Sequence, residues 1–245
     1  MIVGRVFQLW RYPVKSMLGE RLERAWLGPD GIEGDRGWAL RDLEIDRILS
    51  AKKVSRLLEA RARTAGRDVH VELPSGETLD VAEAGTAEAI GAWLGREVEL
   101  IRVPGGTERP LIEGDTRAFR GRAGAFFDSS VFHLVSTSTL ERLGELHPGG
   151  RFDPRRFRPN AVLETLETGF VEEEWVGRAL TIGGATIEIT KPCERCVMTT
   201  HAQEDLPVDR DILRTVIARN DEKVGVYGIV RQAGTISVGD EALLG

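Results

Sequence analysis

The sequence predicts a mainly β protein: an N-terminal β-barrel-like domain followed by a second β-barrel domain, with a few short helices. Three observations carry this. Short extended stretches recur along the chain, each bounded by Gly, Pro or Asp. ALTIGGATIEIT sets two alternating runs about Gly183–Gly184, the period of half-buried strands. Helical patterns are scarce and brief, which favours barrels or sandwiches over an alternating β–α sheet.

Strands are expected over Val3–Tyr12, Arg21–Leu27, Gly37–Arg41, Ala60–Ala65, Val69–Leu73 and Val98–Val103. A short helix over Thr86–Leu94 takes Thr86 as its N-cap. VPGGTERPLIEGD (Val103–Asp115) is rich in Gly, Pro and charge and suits a linker. It divides the chain into domains at 1–105 and 106–245. A helix over Ser138–Leu146 opens with Ser138 and Glu141 in capping-box spacing. Gly183 and Gly184 supply the positive φ of a two-residue turn, after which Ala185, Ile187 and Ile189 share one face. Over Asp209–Asn220, Ile212, Leu213, Val216 and Ile217 form one core-facing stripe, with Asp209 and Asn220 at the ends. The tail VYGIVRQAGTISVGDEALL reads as another hairpin.

Composition removes several function classes. The net charge of -6 argues against a general nucleic-acid binder, which needs a basic face. Two cysteines are too few for a secreted disulfide scaffold. Arg5 and Arg11 interrupt the first apolar stretch, so no signal peptide is expected. No run is long enough for a membrane span. A cytoplasmic chain with reduced thiols is expected. Within this acidic chain, RFDPRRFRPN gathers Arg151, Arg155, Arg156 and Arg158. The run reads either as a solvated loop or as a fork for an anion, since guanidinium matches phosphate bidentately.

Both cysteines lie in KPCERCVMTT, Cys193 and Cys196. A structural zinc site needs four ligands, and the four histidines show no matching pair. A thioredoxin-like pair needs a helix opening at its first cysteine, whereas this one follows a strand pattern. Both of those readings fit the spacing less well than two inert thiols or one reactive thiolate. Arg195 and Lys191 favour the charged sulfur, and a thiolate ligates soft or borderline transition metals. Elsewhere, Lys15 and Ser16 in YPVKS set a cation beside a hydroxyl, which suits a phosphate oxygen or an ordinary surface turn. Arg36 in GDRGWAL is read as a third anion contact or a surface salt bridge. ILSAKKVSRL is expected to flank the pocket, and its Ser50-x-x-Lys53 spacing is chance.

Taken in order, YPVKS, GDRGW, RFRPN, KPCERC-x-x-TT and GVYGIV…GTISVGD resemble the MOSC-domain family over almost the whole chain. The closer resemblance is to the branch with an added N-terminal β-barrel domain, which includes the mitochondrial amidoxime-reducing component and its bacterial relatives. The resemblance implies molybdenum cofactor, with Cys196 as the metal ligand. It implies Lys15, Ser16 and Arg36 on the cofactor phosphate and pterin, with Arg158, Asn160 and Arg195 clasping the cofactor. Tyr227 would lie near the metal, and Ser136 and Thr137 would offer donors. The implied activity is reduction of small N-hydroxylated substrates, with Asp205 or His201 as proton sources.

With no spare cysteine, no C-x-x-C-H and no G-x-G-x-x-G, electrons are expected from a separate flavin, haem or iron–sulfur protein. The alternative is a sulfur-carrier or cofactor-binding protein, because MOSC domains also end molybdenum-cofactor sulfurases. No pyridoxal-phosphate desulfurase region is evident, so pyridoxal phosphate is an association of the wider family only. THAQEDLPVDRDILRTVIARND departs from the animal proteins and bears on substrate range.

Overall fold

The computed structural model describes residues 1–102 and 130–245; the expected linker, Val103–Asp115, lies outside the described residues. The chain forms two units that interleave in sequence. Met1–Trp10, Arg21–Glu33 and Ser130–Gly245 make the first, Arg11–Glu20 and Gly34–Ser129 the second. Among the described residues there are four short α-helices: α1 (Thr86–Leu94), α2 (Thr137–Leu146), α3 (Pro154–Phe157) and α4 (Asp211–Asn220). No helix of the described residues is long and apolar enough to cross a membrane.

The first unit is built on a closed barrel of seven strands. They are β1 (Ile2–Arg11), β2 (Phe132–Ser136), β3 (Ala161–Thr165), β4 (Ala179–Ile182), β5 (Ala185–Glu194), β6 (Lys223–Gln232) and β7 (Glu241–Leu244). The order around the barrel is β3-β2-β6-β5-β4-β7-β1 and back to β3. Strand directions cannot alternate all the way round an odd-membered ring, so at least one neighbouring pair must be parallel. That pair is β2–β3, with Leu134 beside Ala161 and Ser136 beside Leu163. The other six pairings are antiparallel. A parallel pair needs a long crossover rather than a hairpin. Residues 137–160 provide it and carry α2 and α3. Because α2 packs over β2 and β3, all five β2 residues are buried. The apolar run in this strand follows from burial on both faces.

The β4–β5 hairpin forms as the alternation predicts: Ala185, Ile187 and Ile189 are fully buried. Only Gly183 needs the left-handed region, at φ 51°, and a Cβ there would meet Thr235 O at 2.6 Å. Gly184 has no positive φ. The tail is not a hairpin. Gly234–Ser237 leaves β6 to pair with Arg24–Gly28, and β7 returns to lie between β4 and β1. The α4 stripe is narrower than its spacing suggests. Ile212 and Val216 are fully buried, but Ile217 is half exposed. Asp209 lies just outside α4, and Asn220 is its last residue.

In the second unit, Trp38–Asp42 pairs with Val98–Arg102 and Arg47–Ile48, and Asp68–Glu72 pairs with Arg61–Ala65 and Thr78–Asp80. Parallel bridges from Val14 to Trp38 and from Leu18 to Arg61 join the Arg11–Glu20 segment to both sheets. α1 starts at its expected cap, so the true cap lies one residue earlier. Gly85 is the N-cap, at φ 93°, and Thr86 Oγ1 donates instead to Asp80 O at 2.6 Å.

α2 also starts earlier than its sequence signal. Its N-cap is Ser136 rather than Ser138, with Ser136 Oγ accepting from Thr139 N at 3.0 Å. Below this cap lies fully buried Glu172. Its carboxylate accepts from Ser136 N at 3.2 Å, Ser136 Oγ at 2.5 Å and Thr139 Oγ1 at 2.7 Å. Burial pushes the Glu172 carboxyl above its ordinary value, against the downward pull of these donors. A raised folded pKa means the folded state holds the proton more tightly. That contribution to stability is complete below the ordinary glutamate value and lost as pH rises through the folded one. Wild type should therefore lose stability relative to Glu172→Gln as pH rises above about 4.5, measured by denaturant titration at several pH values. Glu172→Ala strands the Ser136 amide and should cost about 2 kcal/mol. An unchanged pH slope in Glu172→Gln would contradict this.

Candidate functional site

In the first unit the site forms where the crossover meets the turn after β5. β5 ends irregularly: its register against β6 shifts between Ile189 and Lys191 and again between Pro192 and Glu194. Pro192 cannot donate to the ladder, and such bulges re-aim the side chains that follow. Cys193 turns inward and is fully buried, whereas Cys196 stays half-buried. Both thiols are free.

Cys196 immediately precedes a 3-10 turn, Val197–Thr200. The paired threonines hold that turn. Thr199 N and Oγ1 both donate to Cys196 O, at 3.1 and 3.0 Å, and Thr200 Oγ1 donates to Val197 O at 2.8 Å. Arg156 braces it from the crossover. Its guanidinium is 1% exposed and donates to Arg151 O (3.0 Å), Thr199 O (3.1 Å), His201 O (3.1 Å) and Pro207 O (2.8 Å). Burial depresses the Arg156 pKa, and these carbonyls satisfy the buried donors.

Arg195 joins the two motifs. Nη1 donates to Cys193 Sγ at 2.6 Å, Nη2 donates to Phe157 O at 2.6 Å, and the guanidinium lies 5.5 Å from the Phe157 ring. Phe157 precedes Arg158, so RFRPN and KPCERC meet here. Burial works against the Arg195 charge, but Cys193, Tyr227 and Cys196 around it raise its pKa above the ordinary arginine value. Tyr227 is half-buried on β6, opposite both Lys191 and His133. Lys191 Nζ lies 5.7 Å from the Tyr227 ring, and the His133 ring 5.5 Å on the other side strand.

The remaining expected residues of this unit divide by the bonds they make. Arg158 is 8% exposed and ends α3 in the left-handed region, at φ 55°. Asn160 is fully buried and joins strands: its N donates to His133 O (2.7 Å), its O accepts from Trp10 N (2.9 Å), and Oδ1 accepts from His133 N (3.1 Å). Ser136 spends its amide and hydroxyl on Glu172 and the α2 cap, and Thr137 is the half-buried first residue of that helix. The arginine run is not a single anion fork. Arg151 pairs with Asp205, Arg155 pairs with Asp153, Glu204 and Asp205, and Arg156 is internal. Hydrogen bonds from Arg151 and Arg155 hold Asp205 well below the ordinary carboxylate range. Asp205 is thus held by ion pairs to both arginines. His201 is half-buried at the end of the turn.

The second unit brings together YPVKS, GDRGW and ILSAKK. Arg36 N donates to Tyr12 O (2.7 Å), Trp38 N to Pro13 O (3.1 Å) and Lys15 N to Trp38 O (2.8 Å). Ser16 Oγ accepts from Ala51 N at 3.0 Å, so ILSAKK does lie against Ser16. The Arg36 guanidinium lies 4.7 Å from the Tyr12 ring and pairs with buried Asp35, whose other oxygen accepts from Tyr12 N at 2.7 Å. Ser16 and Arg36 hold φ 68° and 52°. The sequence reading missed Arg156, Phe157 and Asp35 as organising residues. Asp153-Pro154 was a usable signal for α3: Asp153 Oδ1 accepts from Arg155 N at 2.9 Å and Pro154 opens the helix.

The family model for the MOSC N-terminal beta barrel domain matches residues 3–95, and that for the MOSC domain matches residues 121–242. The chain is 25% identical over 249 residues to molybdenum cofactor sulfurase of Drosophila melanogaster, covering 91% of this chain and 31% of that protein. It thus spans about a third of the length of that relative. It is 22% identical to mitochondrial amidoxime reducing component 2 of Rattus norvegicus, over 97% of this chain and 82% of that one. With mitochondrial amidoxime-reducing component 1 of Homo sapiens it shares 23% identity, over 99% and 83%. The crystal structure of the YUAD protein from Bacillus subtilis matches at TM-score 0.52 and 13% identity, over 98% of this chain and 94% of that one, a likeness of fold. The two matches follow one another along most of the sequence, and the barrel draws β1 from the first and its other strands from the region of the second: the chain belongs to the MOSC-domain family.

Proposed function

We propose that the protein binds molybdenum cofactor through Cys196 and reduces N-hydroxylated compounds. The observation that carries this is the unequal state of the two thiols. Cys193 is sealed in the core, while Cys196 is half-buried on a turn braced by Thr199, Thr200 and Arg156. A rigid, reachable, soft ligand suits a second- or third-row metal of the molybdenum kind. A second observation supports it. Ser16, Arg36 and Arg158, three residues read as cofactor contacts, are non-glycine residues in the left-handed region. Such conformations cost free energy and concentrate at ligand sites.

In this reading Cys196 holds the metal, and Arg195 keeps positive charge beside both sulfurs. Arg158, Lys15, Ser16 and Arg36 engage the cofactor's phosphate and pterin, and Tyr227 with Lys191 borders the substrate. When bound, the cofactor supplies two-electron oxygen-atom-transfer chemistry. Overall the substrate N–O bond breaks, two electrons and two protons are taken up, and the oxygen leaves as water. Asn160 and Ser136 act on the scaffold, since their polar groups bind strands and a helix cap. The electrons come from a separate flavin, haem or iron–sulfur protein. The relatedness to a molybdenum cofactor sulfurase favours a second reading, in which the chain binds the cofactor without turning over substrate.

Cys196→Ala should lose both activity and molybdenum, while Cys193→Ala keeps both, read by elemental analysis and turnover. Equal molybdenum in wild type and Cys196→Ala would refute the ligand assignment. Lys15→Ala or Arg158→Ala should each weaken cofactor retention by roughly ten- to a hundredfold, the effect of losing one charge-assisted hydrogen bond. Retention unchanged in both would remove these cations from the site. Cofactor-loaded protein should reduce benzamidoxime with a reduced viologen dye and be inert with NADH alone. Loaded protein inert with both would favour the binding-only reading, and robust turnover with NADH alone would contradict the need for a separate electron carrier.

A further inference from the structure

α2 runs into His147, after which Pro148, Gly149 and Gly150 turn the chain. The turn fixes the imidazole. Gly150 N donates to His147 O at 3.0 Å. A Cβ on Gly150 would lie 2.4 Å from His147 Cδ2 and 2.8 Å from Phe152 Cε2. Only glycine lets the ring pack here, edge-on to Phe152 with centroids 6.3 Å apart. Across from it is the start of α4. Asp209 N donates to Thr200 O at 2.9 Å, so this segment is tied directly to the turn that begins at Cys196.

One ligand atom each from His147, Asp209 and Asp211 lies within 4.8 Å of the others. Asp209 Oδ1 accepts from Asp211 N at 2.9 Å, and Asp211 Oδ1 pairs with Arg214 at 2.8 Å. Each carboxylate keeps a second oxygen outside those bonds. Helix-end electrostatics explain the two aspartates but not the histidine, which arrives from a different element. Neither ring nitrogen of His147 has a hydrogen-bond partner among the described residues, although one lies close to both carboxylates. An imidazole nitrogen with two carboxylate oxygens is a donor set for a divalent first-row transition ion such as Mn²⁺ or Zn²⁺, with water in the open positions.

We propose that His147, Asp209 and Asp211 form a divalent transition-metal site, separate from Cys196, that ties the end of α2 to the start of α4. The ion would brace the segment that follows the Cys196 turn. The site stands independently of the proposed molybdenum chemistry.

The test uses the full chain, stripped with chelator and titrated with Mn²⁺, a harder ion that thiols bind poorly. Free Mn²⁺ is counted by electron paramagnetic resonance. Wild type and Cys196→Ala should bind one ion per chain with the same affinity. His147→Ala and Asp211→Asn should each weaken binding by on the order of tenfold or more. Mn²⁺ should raise the melting temperature of wild type and leave that of His147→Ala unmoved. If His147→Ala does not fold, Asp211→Asn on the exposed first turn reads the same quantity. Absence of saturable Mn²⁺ binding in wild type, or binding undiminished in these variants, would overturn the proposal and leave an ordinary helix end beside a histidine.

Discussion

A closed ring of seven strands must contain a parallel pair, and the arrangement around Cys196 follows from where that pair falls. It falls at β2–β3, so residues 137–160 must travel the length of the barrel instead of turning back. That crossover delivers α3 and Arg156 to the turn after β5. Asn160 fixes its return. Sitting just before β3, it binds Trp10 on β1 and His133 on β2, the two strands between which β3 lies. A buried carboxamide that mends the ladder at a strand entry is strongly specified, because any other residue leaves buried backbone groups unpaired.

The same geometry sorts the charges. Four arginines adjacent in sequence have separate fates. Arg151 and Arg155 make exposed or half-exposed ion pairs, each contributing little to stability. Arg156 disappears into the core, where its planar fork binds carbonyls from both the crossover and the Cys196 segment. Lysine could not span those acceptors. Arg158 ends a helix in a strained conformation. Arg195 repeats this use of guanidinium as a connector, linking Cys193 to the Phe157 carbonyl. The thiol beside it is thereby buried and occupied, and the thiol one residue beyond is left accessible.

Local signals in the sequence carried much of the architecture. The Gly-flanked alternation of β4 and β5 and the strand at Trp38–Asp42 depend on neighbouring residues, and they form close to where the pattern puts them. The caps were harder. Ser138–Glu141 imitates a capping box, but Glu172, remote in sequence, pulls the cap to Ser136. The tail resembled a hairpin because its turn chemistry is right. Its partner is instead set by Gly234, which approaches Gly184 so closely that a Cβ would lie 2.2 Å from its carbonyl. The Cys motif was legible as chemistry, because thiols beside cations are rare and ordered motifs accompany them. The roles of Phe157 O, Arg156 and Asn160 were not, since each is defined by a contact with backbone far away in the chain.

The accessible thiol is the point on which the functional account turns, and alkylation mapped by mass spectrometry tests it directly. Native protein, with and without bound molybdenum cofactor, is treated with iodoacetamide, and the peptide carrying both cysteines is analysed. Without cofactor, Cys196 should be modified and Cys193 spared. With cofactor bound, Cys196 should be protected as well. Equal modification of Cys196 in the two samples would contradict its assignment as the metal ligand.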